Sequence, residues 1–129
     1  MDEIKKQSFR KKRIRSFRHA FRGLKDMIRT EPNAWIHCIV TVAVLGLAWW
    51  LQLDWVKICL IVLVIVSVWT AEAFNTVIEI VLDFVTPEYS VIAKRAKDIA
   101  AAAVLVTVLG AVVLGFAILG PALWEKLFS

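Results

Sequence analysis

The sequence predicts an all-α membrane protein, with an N-terminal amphipathic surface helix followed by three transmembrane helices. Hydrophobic residues make up 60% of the 129 residues, against about 45–50% in soluble domains. Mean hydropathy is +0.71, and three apolar runs are long enough to cross a bilayer. Of the 16 Lys and Arg residues, 11 precede residue 34. This length suits a single domain, residues 1–129.

The N-terminal segment predicts a helix that lies on the membrane. Residues 1–7 are polar, and we expect them to be disordered; the helix covers residues 8–29. Its apolar residues recur at steps of three and four, which places them on one face. Basic residues fill the other faces, as in helices that lie in the membrane interface. Because membrane spans follow at once, we expect no nucleic-acid partner. The apolar face consists of Ile14, Phe17, Phe21, Leu24 and Ile28.

Three spans follow, at about residues 34–53, 56–85 and 99–119. Pro32 fits the first turn of the first span, where its missing N–H is not needed. The tryptophans are interpreted as residues of the membrane interface. A turn and a short polar helix connect the second span to the third, which is expected to end at Gly120.

The distribution of Lys and Arg predicts the orientation in a bacterial cell membrane. The N-terminal segment carries 11 of them and the connection 84–98 carries three. The turn at residues 52–57 and the C-terminal segment carry one each. Positive residues favour the cytoplasmic side. We therefore expect the N-terminus and the connection between the second and third spans to face the cytoplasm.

Polar residues set into the second span are the candidate functional site. Glu72, Asn75, Glu79 and Asp83 are spaced by three, four and four residues, so they share a stripe roughly 80° wide on a helix. A carboxyl group in hydrocarbon is costly unless it is paired, hydrated or bound to metal. The stripe is therefore a functional hypothesis by default.

The residue types favour metal-assisted phosphate chemistry at the cytoplasmic surface. Glu31 and Glu79 supply carboxylate oxygens, which suit Mg²⁺ bound together with substrate phosphates. The buried Glu72 is a candidate general base for a hydroxyl that only a lipid would bring to that depth. Neither a P-loop nor a GxGxxG motif is present. Cationic groups that would hold phosphate nearby are Lys94, Arg95 and Lys97.

Two motifs carry a family resemblance. The pattern Glu72-x-x-Asn75-x-x-x-Glu79-x-x-x-Asp83, followed by Ala96-Lys97-Asp98, resembles the small prokaryotic integral-membrane lipid kinases. These are the diacylglycerol kinases and the undecaprenol kinases, and the resemblance covers roughly residues 8–125.

The resemblance implies a homotrimer with composite active sites that transfers the γ-phosphoryl group of ATP to a membrane lipid alcohol. It makes Glu72 the catalytic base, Glu31 and Glu79 the Mg²⁺ ligands, and Asn75 and Asp83 supporting residues. It also places Arg22 and His37 at the lipid substrate. The nucleotide contacts that it implies are Lys97, Asp98, Glu88, Tyr89, Lys12 and His19.

Departures from the diacylglycerol branch make undecaprenol the favoured lipid. That branch has a glutamate where this chain has His37, and an arginine and a tyrosine where it has Lys12 and His19. His37, together with Pro121 and Trp124, is more similar to the undecaprenol kinase branch. Diacylglycerol remains the second candidate.

Other interpretations of the same residues stay open. The stripe could be the relay of a proton- or ion-conducting oligomer, or the polar contact that joins the protomers of a non-catalytic scaffold. Asn75 could bond between helices, and Asp83 could be a solvated residue at a helix end. His37 could be a packing residue.

Overall fold

The computed structural model describes the backbone of residues 2–128 and the side chains of residues 11–128. Four α-helices make up the regular structure of this part of the chain, which confirms the all-α prediction. The chain divides into two compact units, residues 1–32 and residues 33–129. Three of the helices are long and apolar enough to cross a membrane, as predicted. The helices are α1 (Asp2–Thr30), α2 (Pro32–Trp50), α3 (Trp55–Val85) and α4 (Val91–Phe128).

Helix α1 begins earlier than expected. It starts at Asp2, so the disorder predicted for residues 1–7 is wrong from residue 2 onward, and Met1 lies outside the described residues. At the other end, the Thr30 hydroxyl donates to the backbone carbonyl of Asp26 at 3.0 Å.

Helix α2 ends in a left-handed turn rather than continuing to residue 53. Gln52 has a φ of 53°, a conformation that glycine usually supplies. Its N–H donates to the Trp49 carbonyl at 3.1 Å, and the Leu53 N–H donates to the Ala48 carbonyl at 3.2 Å. This pair of bonds is a Schellman motif, which satisfies carbonyls that the end of a helix leaves free.

Asp54 starts the second span. Its side chain accepts a hydrogen bond from the Lys57 N–H at 3.1 Å, which caps α3. The Lys57 ammonium lies 2.9 Å from the same carboxylate. The hydrogen bond from the Lys57 side chain is the main reason why the pKa of Asp54 lies below its ordinary value. This turn fixes where α3 begins, and with it the depth of the stripe.

Helix α4 is continuous where the sequence predicted a short polar helix and a separate span. It runs from Val91 to Phe128 with Pro121 inside it, so the predicted end at Gly120 is wrong. Proline removes one backbone hydrogen bond, but such a break is tolerated in membrane helices, where local adjustments and neighbouring groups compensate. The charged start of α4 therefore extends the same helix beyond the apolar span.

The second unit has a small core. Ala48, Ile61 and Ile118, one from each of α2, α3 and α4, form its buried cluster, and α3 packs most extensively against α4. In the most apolar windows of the three helices, only 11%, 17% and 6% of residues are buried. These helices thus expose apolar side chains over most of their surface, which suits a hydrocarbon environment.

Candidate active site

The polar stripe of α3 becomes more exposed along the helix. Glu72 and Asn75 are buried, with exposures of 1% and 7%, and Thr76 beside them is also buried. Glu79 is half-buried, and Asp83 is exposed. The stripe therefore connects a deeply buried carboxyl to an accessible one, within a single helix of the second unit.

Two buried oxygen atoms in the stripe have no hydrogen-bond partner among the described residues: Glu72 Oε2 and Asn75 Oδ1. The Asn75 amide nitrogen donates to Glu79 Oε1 at 2.9 Å. A buried acceptor without a donor costs about 1–3 kcal/mol, so such groups require an explanation. Both atoms can accept a hydrogen bond or coordinate a cation, which suits a site that a substrate or a metal completes.

His37 of α2 faces the buried end of the stripe. Its Nε2 lies 3.7 Å from Glu72 Oε2. The imidazole also lies edge-on to Trp69, with ring centroids 6.2 Å apart and an interplanar angle of 62°. Trp69 Nε1 donates to the Thr41 hydroxyl at 3.1 Å. Trp69 therefore packs between helices, and its interpretation as an interface tryptophan is wrong.

Sequence reasoning named His37 as a candidate lipid contact but missed Thr41 and the packing role of Trp69, although the spacing contains a signal for both. His37 and Thr41 are four residues apart on α2, and Trp69 and Glu72 are three apart on α3. Residues at these separations share a helix face. The sequence does not specify that the two faces meet, because that depends on how α2 and α3 pack.

At the exposed end of the stripe, α3 meets α4. Lys97 Nζ lies 2.5 Å from Asp83 Oδ1. Asp98 is exposed on the next position of α4, and Glu88 and Tyr89 are exposed in the connection between the helices. The structure thus brings together Asp83 and Lys97, two of the predicted site residues that are 14 positions apart.

The remaining predicted residues belong to the N-terminal unit. Lys12, His19 and Arg22 are exposed on α1, and Glu31 is half-buried directly after it. Glu31 Oε1 lies 3.5 Å from the Thr30 hydroxyl. Among the described residues, no group of three or more His, Cys, Asp or Glu side chains is arranged to hold a metal.

An apolar groove runs between α2, α3 and α4. Its volume is about 480 Å³, and His37, Thr41 and Trp69 contribute its few polar atoms. A groove with this lining suits a hydrocarbon chain, and His37 connects it to Glu72. Apolar residues from each helix that line it are Val40, Val44, Ile61, Val68, Val108 and Phe116.

These features define a class: a polytopic membrane protein with a carboxyl-bearing site within its helices and an apolar groove beside it. The family model described as prokaryotic diacylglycerol kinase matches residues 18–119. The chain belongs to this family, as the motifs predicted.

Individual relatives carry two different names. The chain is 36% identical to an undecaprenol kinase of Bacillus subtilis over 110 residues, which are 85% of this chain and 89% of that protein. It is 38% identical to a diacylglycerol kinase of Synechocystis over 109 residues, 84% of this chain and 62% of that protein. A diacylglycerol kinase of Escherichia coli is 28% identical over 100 residues, 78% of this chain and 82% of that protein.

Proposed function

We propose that this protein is an ATP-dependent lipid kinase that transfers the γ-phosphoryl group to the hydroxyl of a membrane lipid alcohol. One observation carries the proposal beyond family membership: Glu72 is a carboxyl group only 1% exposed, with an oxygen that no described residue satisfies. A carboxyl kept in this state is expensive. A general base for a lipid hydroxyl explains its presence and its depth.

In the proposed reaction, the proton of the lipid hydroxyl moves to the Glu72 carboxylate. The alcohol oxygen forms a bond to the γ-phosphorus, and the bond between that phosphorus and the bridging oxygen of ADP breaks. The products are the lipid phosphate, ADP and one proton, which Glu72 releases to water. The protein's contribution is positioning and electrostatic stabilisation, as in other phosphoryl transfers.

Glu31 and Glu79 are the proposed Mg²⁺ ligands. Their donor atoms are the hard oxygens that Mg²⁺ prefers, and phosphates and water would complete the coordination. Asn75 donates to Glu79 Oε1 at 2.9 Å, which orients the carboxylate and leaves its other oxygen for the metal. When bound, Mg²⁺ neutralises charge on the phosphates.

Lys97 is the proposed phosphate contact, with Asp98 beside it. In this structure Lys97 is paired with Asp83. Because Asp83 is exposed, the pair is weak enough in free energy to exchange for phosphate oxygens. Asp83 therefore acts as a supporting residue that holds the lysine near the stripe. Other proposed nucleotide contacts are Glu88, Tyr89, Lys12 and His19.

The lipid is proposed to place its hydrocarbon chain along the apolar groove and its hydroxyl at Glu72. Undecaprenol is the favoured alcohol, and diacylglycerol is the second candidate. The Bacillus subtilis relative, which matches over 89% of its own length, is named undecaprenol kinase. His37, which replaces a glutamate of the diacylglycerol branch, adds support. Arg22 is the proposed contact for the polar end of the lipid.

The proposed assembly is a homotrimer in the bacterial cell membrane, with its N-terminus and the connection between α3 and α4 in the cytoplasm. Large apolar side chains stay exposed on α3, for example Phe74 at 66% and Val77 at 55%. Neighbouring protomers and lipid would cover them. Helix α1 exposes Phe17 and Phe21 at 68% and 70%, which suits insertion into the membrane interface.

A substrate panel tests the activity directly. The purified protein in mixed micelles, with ATP and Mg²⁺, is expected to phosphorylate undecaprenol with a higher kcat/KM than diacylglycerol. Radiolabelled γ-phosphate that appears in the lipid fraction is the measurement, and the methyl ether of undecaprenol, which lacks the hydroxyl, is the control substrate. Failure to label any lipid alcohol contradicts the proposal, whereas preference for diacylglycerol changes only the substrate.

Nucleotide binding separates the kinase from the ion-conducting oligomer and the scaffold. ATP with Mg²⁺ is expected to raise the melting temperature in detergent, because a ligand that binds only the folded state stabilises it by mass action. At 100 times the Kd this amounts to about 2.7 kcal/mol. ATP with EDTA, and Mg²⁺ alone, are the controls. An unchanged melting temperature at millimolar MgATP contradicts a nucleotide site.

A further inference from the structure

We propose that His37 is a positioning residue for Glu72, which holds the carboxylate in the orientation that accepts the proton of the lipid hydroxyl. This inference rests on the proposed kinase function and assigns His37 a role other than lipid contact. Its basis is a set of contacts between α2 and α3 around the buried carboxyl group.

The first contact is the approach of the imidazole to the unsatisfied oxygen. His37 Nε2 lies 3.7 Å from Glu72 Oε2, the same oxygen that has no hydrogen-bond partner among the described residues. This separation exceeds a hydrogen bond by roughly 0.7 Å, which a small side-chain rotation closes. Glu72 is 1% exposed, so bulk water cannot hold its carboxylate. The N–H group of the His37 imidazole is therefore the donor available to Glu72 Oε2.

The second contact fixes the imidazole itself. His37 lies edge-on to Trp69 at a centroid separation of 6.2 Å, and Trp69 donates its indole N–H to Thr41 at 3.1 Å. The four residues therefore form two side-chain contacts between α2 and α3: His37 with Glu72, and Thr41 with Trp69. Tying the indole to α2 limits the rotation of both rings. The arrangement presents the Nε2 atom to one side of Glu72.

This geometry matters because a carboxylate has two oxygens and rotates about its last bond. A donor at Oε2 stops that rotation and leaves the other oxygen for the hydroxyl proton. The proton moves from the alcohol to Glu72, and His37 keeps its own proton throughout. Misplacing a reacting group by about 1 Å can lower the rate about 100-fold, so His37 is expected to affect the rate through the position of Glu72 rather than through substrate binding.

The test compares two substitutions of similar size, H37Q and H37L. Glutamine places an N–H donor near the position of Nε2, whereas leucine provides none. H37L is expected to lower kcat about 10- to 100-fold, with the KM values for lipid and MgATP unchanged within twofold. H37Q is expected to recover most of the lost rate. A merely structural residue would not show this recovery by a donor-bearing side chain.

Thr41→Val removes the hydroxyl that holds Trp69 while keeping the side-chain shape, and it is expected to lower kcat in the same direction by a smaller factor. This variant also tests the inference if H37L does not fold.

Ile39→Leu, an exposed position on the same helix, is the control and should leave kcat unchanged. A raised lipid KM with normal kcat in H37L, or equal rates for all variants, overturns the inference. An unmodified protein that phosphorylates no lipid overturns the proposed function, and the inference falls with it.

Discussion

Glu72→Gln is expected to abolish lipid phosphorylation while leaving the protein folded. A positioned general base contributes about 10²–10⁴-fold to a rate, and the amide cannot accept the hydroxyl proton. The substitution keeps the size of the side chain, so packing around this 1%-exposed position should be unchanged. Single-turnover transfer of labelled phosphate to lipid measures the loss, and MgATP binding should persist because the proposed nucleotide contacts are elsewhere.

Stability gives a second measurement on the same variant. A buried carboxyl with an unsatisfied oxygen destabilises the fold, so removing its charge should keep or raise the melting temperature in detergent. Such a gain together with lost activity is typical of residues retained for function. Ser67→Ala, at an exposed position of α3, is the matched control. If E72Q retained the full rate, Glu72 would be a structural residue and the proposed base would be wrong.

The sequence predicts the helices well because their signals are local. The apolar runs, the N-terminal basic amphipathic pattern and Pro32 each depend on residues close in the chain, and α3 ends at Val85, as expected. The stripe of Glu72 to Asp83 is equally local, since three- and four-residue spacing defines a face on any helix. The family motifs lie within that same stretch and in the start of α4.

What the sequence does not predict depends on the neighbours of each residue. Pro121 predicts the end of a helix and the charged residues 94–98 predict a separate short helix, yet α4 runs without a break from Val91 to Phe128. Tryptophan is a residue type typical of the membrane interface, yet the indole N–H of Trp69 donates to the Thr41 hydroxyl on the adjacent helix. For Trp69, a partner on another helix decides the outcome. The same limit applies to Glu31 and Glu79, whose proposed role as a pair of Mg²⁺ ligands depends on more than local sequence.

Glu79→Gln is the second substitution with a large expected effect. In the unmodified protein the Asn75 amide donates to Glu79 Oε1. Replacing the carboxylate with an amide removes a charged metal ligand but keeps an oxygen that can accept this hydrogen bond. At limiting Mg²⁺ the rate should fall about 100-fold, which corresponds to an increase of about 3 kcal/mol in the activation free energy. A bound metal contributes several kcal/mol of transition-state stabilisation, so a loss of this size is reasonable. The Mg²⁺ concentration for half-maximal rate should rise, and the measurement is a Mg²⁺ titration at fixed ATP.

The titration also separates a metal ligand from a structural carboxylate. Added Mg²⁺ should restore part of the lost rate in E79Q, because a weakened site fills at higher concentration, whereas it should restore none in E72Q. Glu125→Gln removes the same charge from an exposed position near the end of α4 and should leave the titration unchanged. A parallel loss at every Mg²⁺ concentration in E79Q would assign Glu79 to holding Asn75 rather than metal. The position of the curve, rather than the size of the loss, therefore decides whether this stripe holds the cation.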